Sequence, residues 1–328
     1  MRLLVTGGSG FIGMNLVAKL ISDNKTDLVN LDLLPPKVKA QEKYWKQCDI
    51  LNPALVDEIV RTFRPEAVVH LAARTDTNPE NSLIDYEVNT TGTMNLLNSI
   101  NACSEVKRTI FTSTQFVNQY NGLPKDDLDF APHTVYGESK VIMEKMIRAA
   151  GLRCTWTIIR PTNIWGPWHI RYPCEFWKVL SKGMYFHPGK KPVVRSYGYV
   201  GNVVSQMISI LESPEQKVNG KVYYVGDRPM DIYKWVNIFS LKQIGRNVTV
   251  VPRLALKFLA LCGDFLAILK IRFPLTSSRY KSMTTGNTAP MEKTFEDLGE
   301  PPYSLEEGID ETIEWMKKYH PELIRYPG

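Results

Sequence analysis

Apolar positions in the first half of the chain fall into two alternating patterns. Short apolar segments at Leu3–Thr6, Leu28–Leu31, Ala67–Leu71, Thr109–Thr112 and Thr155–Ile159 read as strands. Between them lie longer segments with helical spacing, as in Phe11, Ile12, Leu16, Val17, Leu20 and Ile21. Leu55–Phe63, Tyr86–Asn101 and Tyr136–Ala150 read as the further helices. Strands separated by helices predict an α/β fold, a doubly wound parallel sheet with helices on both faces. After Pro161 the pattern loosens. Aromatics, prolines and basic residues crowd Trp165–Lys191, which suits a loop-rich lobe closing over a ligand. Val222–Val225 is expected to be a strand, and Ile232–Ile244 and Leu305–Tyr319 helices. The expected division is a nucleotide-binding domain over 1–164, to which the chain returns around 195–226, and a smaller α/β substrate-binding lobe over most of 165–328.

Composition changes this picture little. Of 328 residues, 44% are hydrophobic and 23% charged, so no class of disordered chain is indicated. The net charge of +6 is scattered without a dense Lys/Arg block, so no nucleic-acid partner is expected. The five cysteines, Cys48, Cys103, Cys154, Cys174 and Cys262, form no C-x-x-C pair, so neither a disulfide framework nor a metal site is suggested. They suit a reducing cytoplasm, the expected location. The chain runs from Met1 directly into a strand and a glycine turn, leaving no room for a signal peptide. The most apolar stretch, Leu254–Phe273, is broken by Lys257, Asp264, Lys270 and Arg272 and is a poor bilayer span. It is read first as a helix of the substrate lobe and second as a membrane-surface contact.

The chemistry begins at Gly7-Gly8-Ser9-Gly10-Phe11-Ile12-Gly13, placed after a strand and before a helix. Glycines there allow a tight turn and close approach of the backbone to a pyrophosphate, which the helix N-terminus attracts. Asp32 ends the second strand, 19 residues beyond Gly13, where a carboxylate accepts both ribose hydroxyls of a dinucleotide. A 2′-phosphate would meet like charge, so NAD is expected rather than NADP. Farther on, Tyr136 and Lys140 stand four apart on one helix face. A neighbouring ammonium and a cationic nicotinamide favour the phenolate, so Tyr136 can remove a hydroxyl proton while hydride leaves the same carbon. Thr114 is the expected hydroxyl donor to the substrate oxygen, with Ser113 as the alternative. A redox-sensing NAD binder would have no need for the Tyr136/Lys140 pair.

Together these residues resemble the extended short-chain dehydrogenase/reductase family, above all its nucleotide-sugar epimerase/dehydratase branch, over nearly the whole chain. The resemblance implies a Rossmann sheet with NAD held by Gly7, Gly10, Phe11, Ile12, Gly13 and Asp32. It adds Asp49 and Ile50 at the adenine, and Leu71, Ala72 and Ala73 at the strand end beneath the cofactor. Asn89, Tyr136, Lys140 and Pro161 complete that cofactor set. For the substrate diphosphate it implies Asn163 and Arg195, with Arg279 added. It also implies a homodimer through the helices Tyr86–Asn101 and Tyr136–Ala150. Where the dehydratases carry Asp-Glu, this chain has Gln115-Phe116, and Phe cannot transfer a proton, so dehydration is not expected. Tyr199-Val200-Gly201-Asn202 replaces the usual Y-V-D-D, and Trp165 the usual Tyr. Val251-Pro252 and the apolar Leu254–Leu269 are similar to the 3β-hydroxysteroid dehydrogenase branch. The expected activity is epimerisation of a nucleotide-diphosphate sugar through a transient 4-keto intermediate. A net nucleotide-sugar dehydrogenase or reductase and a 3β-hydroxysteroid-type dehydrogenase are the alternatives.

Overall fold

Leu3, Leu4, Val5 and Thr6 are all fully buried. A strand with no exposed face belongs in the middle of a parallel sheet covered on both sides. A computed structural model describes residues 1–120, 122–169, 176–271, 273 and 275–325, and Cys174 and Arg272 lie outside the described residues. Among the described residues seven parallel strands form the sheet: β1 (Arg2–Thr6), β2 (Asp27–Asp32), β3 (Trp45–Gln47), β4 (Ala67–His70), β5 (Arg108–Thr112), β6 (Thr155–Pro161) and β7 (Lys221–Val225). Their order is β7-β6-β5-β4-β1-β2-β3, with every neighbouring pair parallel. The order reverses between β1 and β4. There the two connections leave for opposite faces and open a crevice at the carboxyl ends of the strands.

The helices α1 (Phe11–Asp23), α2 (Pro53–Phe63), α3 (Glu87–Ala102) and α4 (Val135–Ala149) alternate with these strands, as the apolar spacing predicts. Their ends are written in the chain. The Asn52 side chain accepts from Leu55 N and Pro53 opens α2, while the Thr134 side chain accepts from Gly137 N at the start of α4. Leu31, Val60, Leu96, Phe111, Met143 and Ile158 meet in one core cluster between the sheet and the helices α2, α3 and α4. Burying a side chain of this size stabilises the fold by roughly 1.5–3 kcal/mol. β3 escapes the apolar pattern because its three residues, Trp-Lys-Gln, lie at the sheet edge with Lys46 and Gln47 exposed.

The chain divides into two compact units. The first takes Met1–Trp168, Gly198–Asp227 and Ala289–Tyr303, and the second His169–Tyr197, Arg228–Thr288 and Ser304–Gly328. The second has an aromatic core: Trp177 packs on Phe239 at 5.9 Å and on Trp315 at 6.3 Å, and Trp235 meets Phe239 edge-on at 5.1 Å. Gln243 Nε2, buried among them, donates to the carbonyls of Trp177 and Leu323. Within the stretch expected to be loop-rich, the described residues include a helix at Phe176–Ser181 and a strand at Phe186–Pro188 paired with Thr249–Val251. Among the described residues no helix is long and apolar enough to cross a membrane.

Candidate active site

Because the strands are parallel, their carboxyl ends share one edge of the sheet, and the expected cofactor residues collect there. Gly7 follows β1 with φ +73, and a Cβ on it would lie 2.5 Å from Ala72 N. A Cβ on Gly13 would lie 2.3 Å from Gly7 O, so only glycine lets α1 start against the loop. Gly10 caps α1 without a side-chain bond, and no acidic residue sits in the first turn. Phe11 and Ile12 open that turn, and its positive end carries no acidic side chain to compete with an anion. Asp32 ends β2, its Oδ2 accepting from Ser9 N at 3.0 Å and Oδ1 from Leu34 N at 3.2 Å. Asp49 and Ile50 follow β3. Ile50 is buried so closely under α3 that a Cβ on Gly92 would lie 2.6 Å from its Cδ1. Leu71, Ala72 and Ala73 follow β4, with Leu71 N and Ala72 N donating to the Thr6 carbonyl and hydroxyl.

Two neighbours support this cradle. Asn30, a buried polar residue inside β2, donates from Nδ2 to Ser9 Oγ at 3.1 Å and leaves room only for glycine at position 8. His70 lies between Thr6 Oγ1 at 2.7 Å and Thr93 Oγ1 at 2.9 Å. Thr93 gives its hydroxyl hydrogen to Asn89 O, so it accepts from His70 Nε2, and Nδ1 accepts from Thr6. Burial, and next the charge of Lys140, hold His70 down at about 3, so the imidazole is neutral. Asn89 spends its amide on the protein: it accepts from Arg74 N and donates to Arg74 O and Ser139 Oγ. Ser139 in turn donates to Tyr136 O. The loop after β4 is thereby tied to the turn that carries Tyr136.

Tyr136 and Lys140 lie side by side on the buried face of α4. The Tyr136 ring is walled by Phe116, edge-on at 6.2 Å, and by Tyr86 at 6.2 Å. Phe116, which stands where dehydratases carry an acid, is thus packing for the Tyr136 ring. Lys140 Nζ donates to Thr112 O at 2.9 Å. Its burial lowers its titration to about 7, against an opposing pull from Glu144. Glu144, one turn further on, binds Arg160 of β6 through both oxygens at 2.9 and 2.8 Å, with both side chains wholly buried. That pair clamps α4 to the sheet. Neither Asn30 nor the Glu144–Arg160 clamp stood out in the sequence. The available signals were a lone Asn in an apolar strand and an acid four residues after Lys140.

Thr112 ends β5, and Ser113, Thr114 and Gln115 follow it. Thr112 Oγ1, Ser113 Oγ and Gln115 Nε2 are buried without a hydrogen-bond partner. Thr114 Oγ1 accepts from Phe116 N at 3.3 Å and keeps its own hydrogen to donate. Orphaned polar atoms at this edge fit an absent polar ligand. With the uncapped helix end and the glycine cradle, they fit a dinucleotide and a hydroxylated substrate. Pro161 closes β6 opposite Val225, and Asn163 follows it. Arg195 and Arg279 belong to the second unit. Arg195 is buried, with Nε and Nη2 donating to Thr285 O at 3.0 and 2.9 Å, whereas Arg279 is exposed on the helix Ser277–Thr284.

Sheet order, glycine loop and Tyr/Lys helix define a dinucleotide-dependent oxidoreductase fold. The model of the NAD dependent epimerase/dehydratase family matches residues 3–226, and the chain belongs to that family. It is an enzyme of the extended short-chain dehydrogenase/reductase type, with NAD as its cofactor. The chain is similar to N-acetyl-alpha-D-glucosaminyl-diphospho-ditrans,octacis-undecaprenol 4-epimerase of Escherichia coli O157:H7, 27% identical over 96% of this chain and 95% of that one. It is similar to UDP-glucose 4-epimerase of Vibrio cholerae, 31% identical over 69% of this chain and 70% of the relative. Among solved structures, UDP-glucose 4-epimerase with UDP-glucose from Thermotoga maritima shares the fold, with a TM-score of 0.72 and 24% identity over 97% of this chain and 99% of that one.

Proposed function

We propose that the enzyme is a 4-epimerase of a nucleotide-diphosphate sugar, working through a transient 4-keto sugar. The observation that carries the reading is the buried Tyr136/Lys140 pair, with Lys140 bonded to Thr112 O at the strand end where the Ser113 hydroxyl is unpartnered. Tyr136 Oη takes the C4 hydroxyl proton as the C4–H bond breaks, and the Thr114 hydroxyl donates to the C4 oxygen, with Ser113 as the alternative donor. Lys140, pinned to Thr112 O, supplies positive charge that favours the Tyr136 phenolate. When bound, NAD supplies a reversible hydride acceptor. After the 4-keto ring turns over, Tyr136 returns its proton and C4 regains its hydrogen on the other face. In this reading Gly7, Gly10, Phe11, Ile12 and Gly13 hold the pyrophosphate, Asp32 the ribose, and Asp49 and Ile50 the adenine. Leu71, Ala72, Ala73 and Pro161 border the ring end of the cofactor, and Asn89 acts by fixing the Arg74 backbone. Asn163, Arg195 and Arg279 receive the substrate diphosphate. Two of the relatives are 4-epimerases by name, and the substrate named for one of them is a diphospho-linked sugar.

The test is a pair of variants. Tyr136→Phe is expected to lower turnover by ~10²–10⁴ while NAD still binds. Arg195→Met is expected to raise KM for the sugar nucleotide with NAD affinity unchanged, because a phosphate loses its charged partner. Near-normal turnover in the first variant would overturn the mechanism. Failure of the wild type to bind nucleotide diphosphates of several bases would overturn the substrate class.

A further inference from the structure

One helix of the second unit faces outward with its apolar side. On the helix Arg253–Ile268, the residues Leu254, Phe258, Leu261, Phe265 and Ile268 recur at spacings of four and three, and each is between 54% and 82% exposed. They lie along one side, opposite the buried Leu256, Ala260 and Gly263. Leu269 and Ile271 prolong the stripe beyond the helix end. A contiguous apolar face of this size on a surface helix marks a contact site.

The charges around the stripe decide what covers it. Between Val251 and Met291 the chain holds Arg253, Lys257, Lys270, Arg272, Arg279 and Lys281 against a single acid, Asp264. Asp264 is occupied inside the unit, accepting from Ser277 N at 3.0 Å. Lys257, Lys270 and Lys281 are exposed and take part in none of the ion pairs found among the described residues. At the helix start Arg253 donates to the Pro188 and Lys191 carbonyls, drawing the exposed Lys190-Lys191 turn beside the stripe. A second copy of the chain in a two-fold contact would bring one basic rim against another. An anionic lipid surface answers both features, accepting the apolar face among acyl chains and the ammonium groups among phosphates.

We propose that the helix Arg253–Ile268 lies in the plane of an anionic bilayer and docks the enzyme on it through Leu254, Phe258, Leu261, Phe265 and Ile268, with Lys190, Lys191, Lys257 and Lys270 at the headgroups. Sixteen residues make a rod of roughly 24 Å, too short to span a hydrocarbon core of ~30 Å but well suited to lying on it. The proposal is independent of the reaction assigned above.

The full chain, loaded with NAD, is floated with vesicles of phosphatidylcholine alone and of equal parts phosphatidylcholine and phosphatidylglycerol. The wild type should bind the anionic vesicles about tenfold more than the neutral ones, and raised salt should weaken this. Phe258→Glu with Phe265→Glu should lower binding by about tenfold or more at an unchanged melting temperature. In Phe258→Trp, the indole emission should shift to the blue when anionic vesicles are added. Wild type that ignores both vesicles, or a Glu variant that binds as well as wild type, overturns the proposal. So does a fall in mass by light scattering in the Glu variant of a wild type that binds no lipid, which makes the stripe a protein–protein contact.

Discussion

Replacing Glu144 by alanine removes the one carboxylate that, among the described residues, bonds the buried guanidinium of Arg160. In the folded chain that guanidinium makes two charge-assisted bonds to Glu144, one to Tyr224 OH at 2.8 Å and one to Asp127 O at 2.7 Å. Without Glu144 a full positive charge stays buried with two neutral acceptors. Breaking such a pair from one side costs ~3–5 kcal/mol. At ~2–4 °C per kcal/mol for a domain of 150–250 residues, the melting temperature should fall by about 6–20 °C. Thermal unfolding followed by far-UV circular dichroism measures this directly. The double variant Glu144→Met, Arg160→Met replaces both charges by apolar groups and should recover most of the loss, since buried pairs add little net stability over apolar isosteres. Comparing the two variants separates the unpaired charge from the lost ion pair. A Glu144→Ala variant melting within about 2 °C of wild type would refute the reasoning, as would a double variant losing as much as Glu144→Ala.

Other outcomes follow from the same fold. His70 stays neutral when folded, down to about 3, while an unfolded histidine takes its proton near 6.5. Its stabilising contribution is therefore complete above 6.5 and lost as pH falls, by up to ~1.4 kcal/mol per unit. Urea midpoints between pH 7 and 5 should fall more steeply in wild type than in His70→Gln, and parallel curves would contradict this. Asp32→Ala should weaken NAD and narrow the preference over NADP in fluorescence titrations, and a wild type that already prefers NADP would overturn the assignment. We further propose a homodimer through α3 and α4, for which light scattering at micromolar concentration should give twice the chain mass.

The cofactor edge was legible in the sequence because its requirements are local. Gly7 and Gly13 occupy positions where a Cβ collides with backbone, and Tyr136 and Lys140 are joined by one turn of one helix. The strands from Leu3 and from Ala67 declared themselves because burial on both faces demands unbroken apolar runs. What stayed hidden depends on contacts distant along the chain. Glu144 reads as an ordinary helix-surface acid until Arg160 is placed opposite it. Trp177, Trp235, Phe239 and Trp315 form a core that no single period reveals, because three helices far apart in the chain contribute to it. Phe116 looked like a catalytic vacancy and proved to be a wall of the Tyr136 pocket.

The strand order also sets a timetable for synthesis. Six strands of the sheet are complete once Pro161 has left the ribosome, yet β6 has no neighbour on its outer side until Lys221–Val225 arrives. About 60 residues intervene, or ~3–12 s at 5–20 residues per second. Through that interval the backbone groups of Thr155–Pro161 form an open template for another nascent chain. Holdase chaperones have most to offer this enzyme in that window, and a slow-codon cluster between Trp165 and Gly220 would lengthen it and raise the aggregated fraction.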